Sequence, residues 1–257
     1  MQLTADYHTH TVFSHGKGSI LDNALSAKEK GLKEVGISDH GFAHPAFGLT
    51  NKKVPVMRGL CDDATAQSGV KVLLGIESNI IGTDGTVDLK EKMYDNFDIF
   101  LAGIHKFVFY KFKSVFPLAI PNLLFATFKK KQVPKSLVKD NTKTFINVIK
   151  KNPVDVITHL NFCCYADAVE VAKVAADYGT YLEISSKKIH LSDEELFAVA
   201  KTGVKFVINS DAHSPDRVGD TALVQEIFKR VSIPLERIDN VDGRLPDFRF
   251  KRFKEGK

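Results

Sequence analysis

The stretch Asp6–Gly16, DYHTHTVFSHG, holds three of the chain's nine histidines within eight residues. It begins in a short β-type run, LTADYH (3–8). Successive side chains alternate in an extended chain, so His8 and His10, two apart, leave the same face. A cloning tag would be a run of consecutive histidines, which this is not. Chance and a metal site remain, and the rest of the chain separates them.

Further β-type runs follow at 34–39, 71–77, 98–104, 154–159, 180–185 and 204–210. Helical patterns lie between several of them: SILDNALSAKEKG (19–31), DAVEVAKVAADYG (167–179) and LSDEELFAVAKTG (191–203). The last opens on Ser192 with Glu195 three residues later, a capping-box signature. Strands alternating with helices predict parallel βαβ units. Seven such strands in 257 residues predict one domain, 1–257, built as a distorted (β/α)7 barrel of the α/β class. An open doubly wound sheet is the second choice. No composition break marks a boundary, and no repeat is evident.

A parallel barrel builds its active site at the C-terminal ends of its strands. His8 and His10 end the first run, Asp39 and His40 the second, and Glu77 the third. His105 follows the fourth, His159 ends the fifth, and Asp211 and His213 follow the seventh. Scattered surface histidines would not choose strand ends so often. Imidazole and carboxylate are the ligand set of zinc, manganese, iron or nickel. A carboxylate such as Glu77 can bridge two cations. Grouped divalent ions acidify a bound water and neutralise an anionic substrate, and phosphate-ester hydrolysis needs both.

The ordered series H-x-H, D-H-G, G-I-E, A-G-x-H, I-x-H and S-D-x-H resembles the PHP (polymerase and histidinol phosphatase) superfamily, from Leu3 to about Gly219. It is most similar to the small stand-alone PHP phosphatases, which bind three metals. The resemblance implies that His8, His10, Glu77 and Asp211 hold one metal. Glu77 is shared with a second, which takes His105 and His159. His15, His40 and His213 hold the third. Two positions depart from the family pattern: His15 stands in S-H-G, and His159 is followed by Leu160-Asn161 rather than a Pro-Gly turn.

Residues around these motifs take supporting roles. Asp6 and Asp39 are expected to orient ligands, because a ligating histidine gives its other N–H to a carboxylate or carbonyl. Lys17, Arg58 and Arg217 are candidates to hold phosphate oxygens, with Arg217 best placed, four residues past His213. Asp211, His213 and Arg217 are therefore the candidate catalytic residues, with His213 or a water as general acid. Glu183 ends the sixth strand as an orienter or a buried polar group. His44 and His190 match no motif, and His190, just before Ser192, reads as a surface loop residue. Cys163 and Cys164 read as small buried hydrophobes.

Composition narrows the setting. Hydrophobic residues make up 44% of the chain, enough for a sizeable core, and the formal net charge is +5. A mildly basic balance does not by itself call for nucleic acid. No positive n-region with an apolar h-region opens the chain, and no apolar run approaches the roughly 18 residues of a membrane span. Three cysteines, two of them adjacent, make neither a disulfide framework nor a C-x-x-C knuckle, so a reducing cytoplasm is expected. One region breaks the βα rhythm: residues 106–139 hold eight Lys, six Phe and three Pro, and no acidic residue. It is read as an excursion packed on the barrel, with a substrate-covering lid, a partner surface or a membrane-surface patch as the alternatives. Pro117 and Pro121 argue against one long helix there. The basic, aromatic tail RLPDFRFKRFKEGK is expected to cap the barrel bottom rather than to meet nucleic acid.

The expected function is a metal-dependent phosphoesterase carrying three zinc, manganese or iron ions and acting on a small phosphorylated substrate. The rivals are a histidinol-phosphate phosphatase, a nuclease of the same superfamily, and a non-catalytic metal-binding module.

Overall fold

All seven expected runs are strands in the computed structural model, which describes residues 1–125, 128 and 132–256. They are β1 (Ala5–Thr9), β2 (Glu34–Ile37), β3 (Lys71–Asn79), β4 (Ile99–Gly103), β5 (Val156–Ile157), β6 (Tyr181–Ser185) and β7 (Phe206–Asn209). Each pairs in parallel with the next, in the order β1 to β7. β5 keeps only two of the six residues expected. Its flanks still reach β4, Asp155 N–H donating to Phe100 O and Thr158 N–H to Ala102 O.

The ring closes unevenly between β7 and β1. At the C-terminal ends, His10 N–H donates to Ala212 O (2.8 Å) and Ala212 N–H to His8 O (3.3 Å). At the other end the side chain of Asn240 fills the gap. It accepts from Ile208 N–H at 2.9 Å and donates to Ala5 O at 2.8 Å. An amide can serve both strands because it carries donors and an acceptor on one group.

Inward-facing residues follow the strand period of two. Ala5, Tyr7, Ile99, Leu101, Val156, Tyr181 and Val207 fill the lower barrel, and Phe248 of the tail packs beneath them. Phe250 is also buried, and its N–H donates to Asp155 Oδ1 at 2.7 Å. The tail thus caps the bottom, as expected. Each large side chain buried there contributes about 1.5–3 kcal/mol. A second core, including Ile37, Ile76, Phe100 and Phe145, lies between the strands and the outer helices.

The three expected helices run Ile20–Glu29, Ala168–Tyr178 and Asp193–Ala200. The Ser192–Glu195 capping box is present, and Ser19–Asp22 forms another. Among the described residues, the two longest helices, Lys53–Ser68 and Lys135–Lys151, were not expected. The first buries Val54, Met57, Cys61, Ala64 and Ser68 at helical spacing, but most of these side chains are small or weakly apolar. Pro55 stands in its first turn, where a missing N–H costs no helix bond. The second begins inside the expected 106–139 excursion. Residues 126–127 and 129–131 of the excursion, and Lys257 of the tail, lie outside the described residues.

Within the excursion a helical run passes both prolines. Phe112–Ser114 leads into a π-type turn, Val115–Ala119, which contains Pro117, and Ile120–Leu124 follows with Pro121 near its start. Widening the turn at Pro117 relieves the clash that would break a regular helix. Asn122 and Asn141 exchange amide hydrogen bonds at 2.8 and 2.9 Å and pin this run to the helix Lys135–Lys151. Among the described residues, no helix is long and apolar enough to cross a membrane.

Candidate metal centre

The site begins with a fault in β1. Asp6 pairs with Val35 and Thr9 with Ile37, so β1 carries one more residue than β2 over this step. Such a bulge shifts the phase of inward-facing side chains. Ala5 and Tyr7 face the barrel core below it. Above it, His8 and His10 both face inward, onto Glu77 and Asp211. β3 needs no fault, because Leu73, Gly75 and Glu77 follow the same alternation.

Glu77 is the hub. Its carboxylate is 1% exposed, and five imidazoles reach it. His159 Nε2 and His105 Nε2 lie 2.7 and 3.1 Å from Oε1, with His8 Nε2 at 3.3 Å. His40 Nδ1 and His10 Nε2 lie 2.9 and 3.7 Å from Oε2. Asp211 Oδ1 stands 3.3 Å from His10 Nε2 and 3.8 Å from His8 Nε2. His15 completes the group from the loop after β1, its ring stacked on His40 with centroids 4.7 Å apart and 4.2 Å from the ring of His213. All nine residues expected as ligands are therefore gathered at one end of the barrel.

Four sets of ligand-type atoms lie close enough to share an ion: His8, His10 and Asp211; His8, Glu77 and His159; His40, Glu77 and His105; His10, His40 and His213. The sets overlap, with Glu77 common to two of them. His40, assigned by resemblance to the third metal with His15 and His213, also reaches Glu77 and His105.

The hydrogen-bond pattern tests whether cations fit here. Among the described residues, eight buried side-chain atoms have no hydrogen-bond partner. Five belong to this cluster: His10 Nδ1, His40 Nδ1, Glu77 Oε2, His105 Nδ1 and His159 Nδ1. His40 Nδ1 and Glu77 Oε2 are 2.9 Å apart, yet without hydrogen-bond geometry. An unmet buried polar atom costs about 1–3 kcal/mol. Two of the five, His40 Nδ1 and Glu77 Oε2, face each other where a bound cation would satisfy both, and the nitrogen and carboxylate donors match a transition metal.

Electrostatics agree. Burial pushes the Glu77 carboxyl up, but His105 and His8 outweigh it and hold the group well below the usual carboxylate range. Burial likewise raises Asp211, and His8, His10 and Lys187 more than reverse it. Burial drives His10 well below the ordinary histidine value, and His15 to about 3. Ionised carboxylates and neutral imidazoles are the forms that bind metal. His8 is the exception: burial lowers it, but Glu183, Glu77 and Asp211 together hold it well above the usual value. A proton there stands where a metal cation would compete for the same carboxylates.

The supports are specific. Glu183 Oε1 lies 2.7 Å from His8 Nδ1, and Glu183 Oε2 accepts the backbone N–H of His159 at 2.8 Å. It therefore orients two histidines of the cluster from different parts of the chain. Asp39 accepts from Thr11 N–H, Thr11 Oγ1 and Ser14 Oγ, which fixes the loop that delivers His15. Asp6 works through the backbone, accepting from Ser210 and Gly219 N–H beside Asp211. His159 (φ 27°) and Asp211 (φ 48°) both hold left-handed backbone that non-glycine residues rarely adopt. Gly103 makes room for His159, since a Cβ there would stand 2.9 Å from the ring.

A cleft of about 400 Å³ opens over the cluster. Lys106, Lys187 and Lys188 line it, together with His44, Phe47, Phe162 and His190. Lys187 Nζ lies 3.0 Å from Asp211 Oδ2 and 3.2 Å from His213 Nδ1. These are the cations that the sequence reading missed. The three it chose stand elsewhere. Arg217 pairs with Asp220 at 2.8 Å, and Arg58 with Asp98 at 2.7 Å. Lys17 meets the site only through its backbone N–H on His213 O. His190 is corrected from a surface residue to a wall of the cleft: its ring packs on Phe162, and burial lowers it to about 4. Cys163 and Cys164 belong to none of the ligand sets, and Cys164 is buried.

Comparison with known proteins accords with this geometry. The chain is 30% identical over 265 residues to a probable phosphatase of Thermoanaerobacter sp. strain X514, covering 96% of this chain and 95% of that protein. It is 32% identical over 270 residues to a probable phosphatase of Tolumonas auensis, covering 99% and 96%. Its fold matches the crystal structure of histidinol phosphate phosphatase from Lactococcus lactis, solved with zinc, L-histidinol and phosphate. That match has a TM-score of 0.57 at 14% identity and covers 87% of this chain and 93% of the other. The family model for the PHP domain matches residues 6–213, and the chain belongs to the PHP domain family.

Proposed function

We infer that the protein is a metal-dependent phosphatase that hydrolyses a small phosphate monoester. The observation that carries this is the Glu77 hub, one buried carboxylate met by five imidazoles with unmet donor atoms around it. His8, His10, His15, His40, Glu77, His105, His159, Asp211 and His213 would hold the cations, three in number, as zinc, manganese or iron. Bound there, such cations supply Lewis-acid charge against phosphoryl oxygens and an acidified water as nucleophile.

The remaining work falls to the chain itself. Lys106, Lys187 and Lys188 give the cleft a positive lining that draws in and orients a dianionic phosphate. Glu183, Asp39 and Asp6 keep the ligands in place through substrate entry and release. For the leaving oxygen, the Lys187 ammonium is better suited than His213. Burial lowers His213, which also sits in a ligand set, whereas Lys187 stands beside Asp211 at the mouth. Phe47 and Phe162 wall the cleft with apolar surface, which limits water around the reacting group.

The test is hydrolysis of p-nitrophenyl phosphate by tag-free protein loaded with Mn or Zn. Turnover that chelator abolishes and metal restores is expected, with kcat/KM falling about 10–100-fold in Lys187→Ala. No turnover with any of Mn, Zn or Fe would overturn the reading.

A further inference from the structure

Beside the cleft, the chain exposes what soluble proteins normally hide. Phe107, Phe109, Phe112 and Phe116 are each between 70% and 83% exposed. On the helical run, Phe112, Phe116, Ile120 and Leu124 recur every four residues on the outer side. The inner side, Ser114, Leu118 and Asn122, is the one buried on the protein. The apolar face therefore points outward and is covered by none of the described residues. A contiguous exposed apolar patch on a monomer marks an interaction surface.

The charge around it names the partner. The region 106–139 carries eight Lys and no Asp or Glu, with an uncharged stretch over 114–128 at its centre. A second copy of this chain, paired about a two-fold axis, would set the exposed Lys106, Lys111 and Lys113 of this region against their own copies. Single-stranded nucleic acid would use the phenylalanines but not Ile120 and Leu124, and the uncharged centre offers it no phosphate contacts. An anionic bilayer meets both features: apolar side chains enter the acyl boundary, and the exposed Lys106 and Lys113 beside them meet the headgroups, while Lys111 pairs with Asp84. The helical run Phe112–Leu124 is well short of the roughly 20 residues of a span, so the contact lies at the surface.

We propose that the exposed phenylalanine face of residues 107–124, flanked by lysines, docks the protein on an anionic membrane surface. His105 and Lys106 wall both the metal cleft and the apolar groove that Phe107, Phe109 and Ile120 of this face line. Docking therefore brings the cleft mouth towards the headgroup layer. The inference is independent of the phosphatase reading.

The experiment is flotation of the Mn-loaded full chain with vesicles of phosphatidylcholine alone, or of phosphatidylcholine with phosphatidylglycerol. Flotation with the anionic vesicles is expected, weakening as salt rises. The double substitution Phe112→Ser and Phe116→Ser should cut partitioning at least about tenfold. Lys113→Glu should weaken it separately, with melting by circular dichroism showing both variants folded. Absence of flotation by the folded wild type overturns the proposal. So does a dimer in light scattering that the phenylalanine variant dissolves, or retention on a single-stranded oligonucleotide in place of anionic vesicles.

Discussion

The two ends of the barrel treat buried polar groups in opposite ways. At the bottom Asp155, Tyr181 and Tyr7 each have a partner. Asp155 accepts N–H groups from Phe100 and Phe250 at 2.9 and 2.7 Å. Tyr181 donates to Asp239, which Lys205 also meets, and Tyr7 donates to Glu34, which Lys71 also meets. At the top, five nitrogen and oxygen atoms of the ligand cluster have none. His159 and Asp211 there also hold left-handed backbone. The bottom is finished by protein alone. The top is a set of donors converging on shared points, which is the pattern of a site completed by something it binds.

That contrast can be broken at either end. The largest effect should follow Glu77→Gln, which keeps the shape of the hub and removes the charge that five imidazoles face. Activity should fall more than about 100-fold, beyond the loss typical of an orienting partner, with metal content falling in parallel. Activity retained at normal metal content would show that Glu77 is not the hub. Glu183→Gln comes next. It leaves the ligands present but loosens His8 and His159, so metal affinity should fall about 10–100-fold, and saturating metal should restore turnover.

Metal should also stabilise the protein through its top end alone. Mn or Zn at 100 times its dissociation constant adds about 2.7 kcal/mol, seen as a rise in Tm that Glu77→Gln abolishes.

The smallest functional effect belongs to the bottom. Asp155→Asn faces one of its two N–H donors with an amide NH₂, so stability should drop by about 1–3 kcal/mol while turnover per folded molecule is unchanged. Burial holds Asp155 up to about 7, above its unfolded value of about 3.9. The folded state then keeps a proton that the unfolded chain has lost. Its contribution to stability is full below about pH 3.9 and is lost as pH rises through about 7. Asp155→Asn should flatten that slope in urea melts across this range. An unchanged slope would assign the pH dependence to other groups.

Much of the top was legible from sequence because ligand types at strand ends are a positional signal. His8, His10, Glu77 and Asp211 each fall within two residues of the C-terminal end of a strand. The cleft-lining lysines were not legible. Lys187 and Lys188 sit in SSKKIH after β6, and only the three-dimensional path of that loop brings them beside Asp211. His190 was missed for the same reason. Arg217 looked well placed because it follows His213 closely, but proximity along the chain says nothing about direction, and Asp220 takes its guanidinium. The bulge in β1 leaves no sequence mark, although it allows Tyr7 and His8, neighbours in the chain, both to face inward. The helix Lys53–Ser68 hid because its buried stripe is built largely of small and weakly apolar side chains.

The central claim is that the top of the barrel is a metal centre, and metal content tests it most directly. Tag-free protein purified without chelator and measured by elemental mass spectrometry should carry close to three transition-metal ions per chain. Essentially none, with no uptake and no phosphate-ester hydrolysis after Mn or Zn is added, would contradict it.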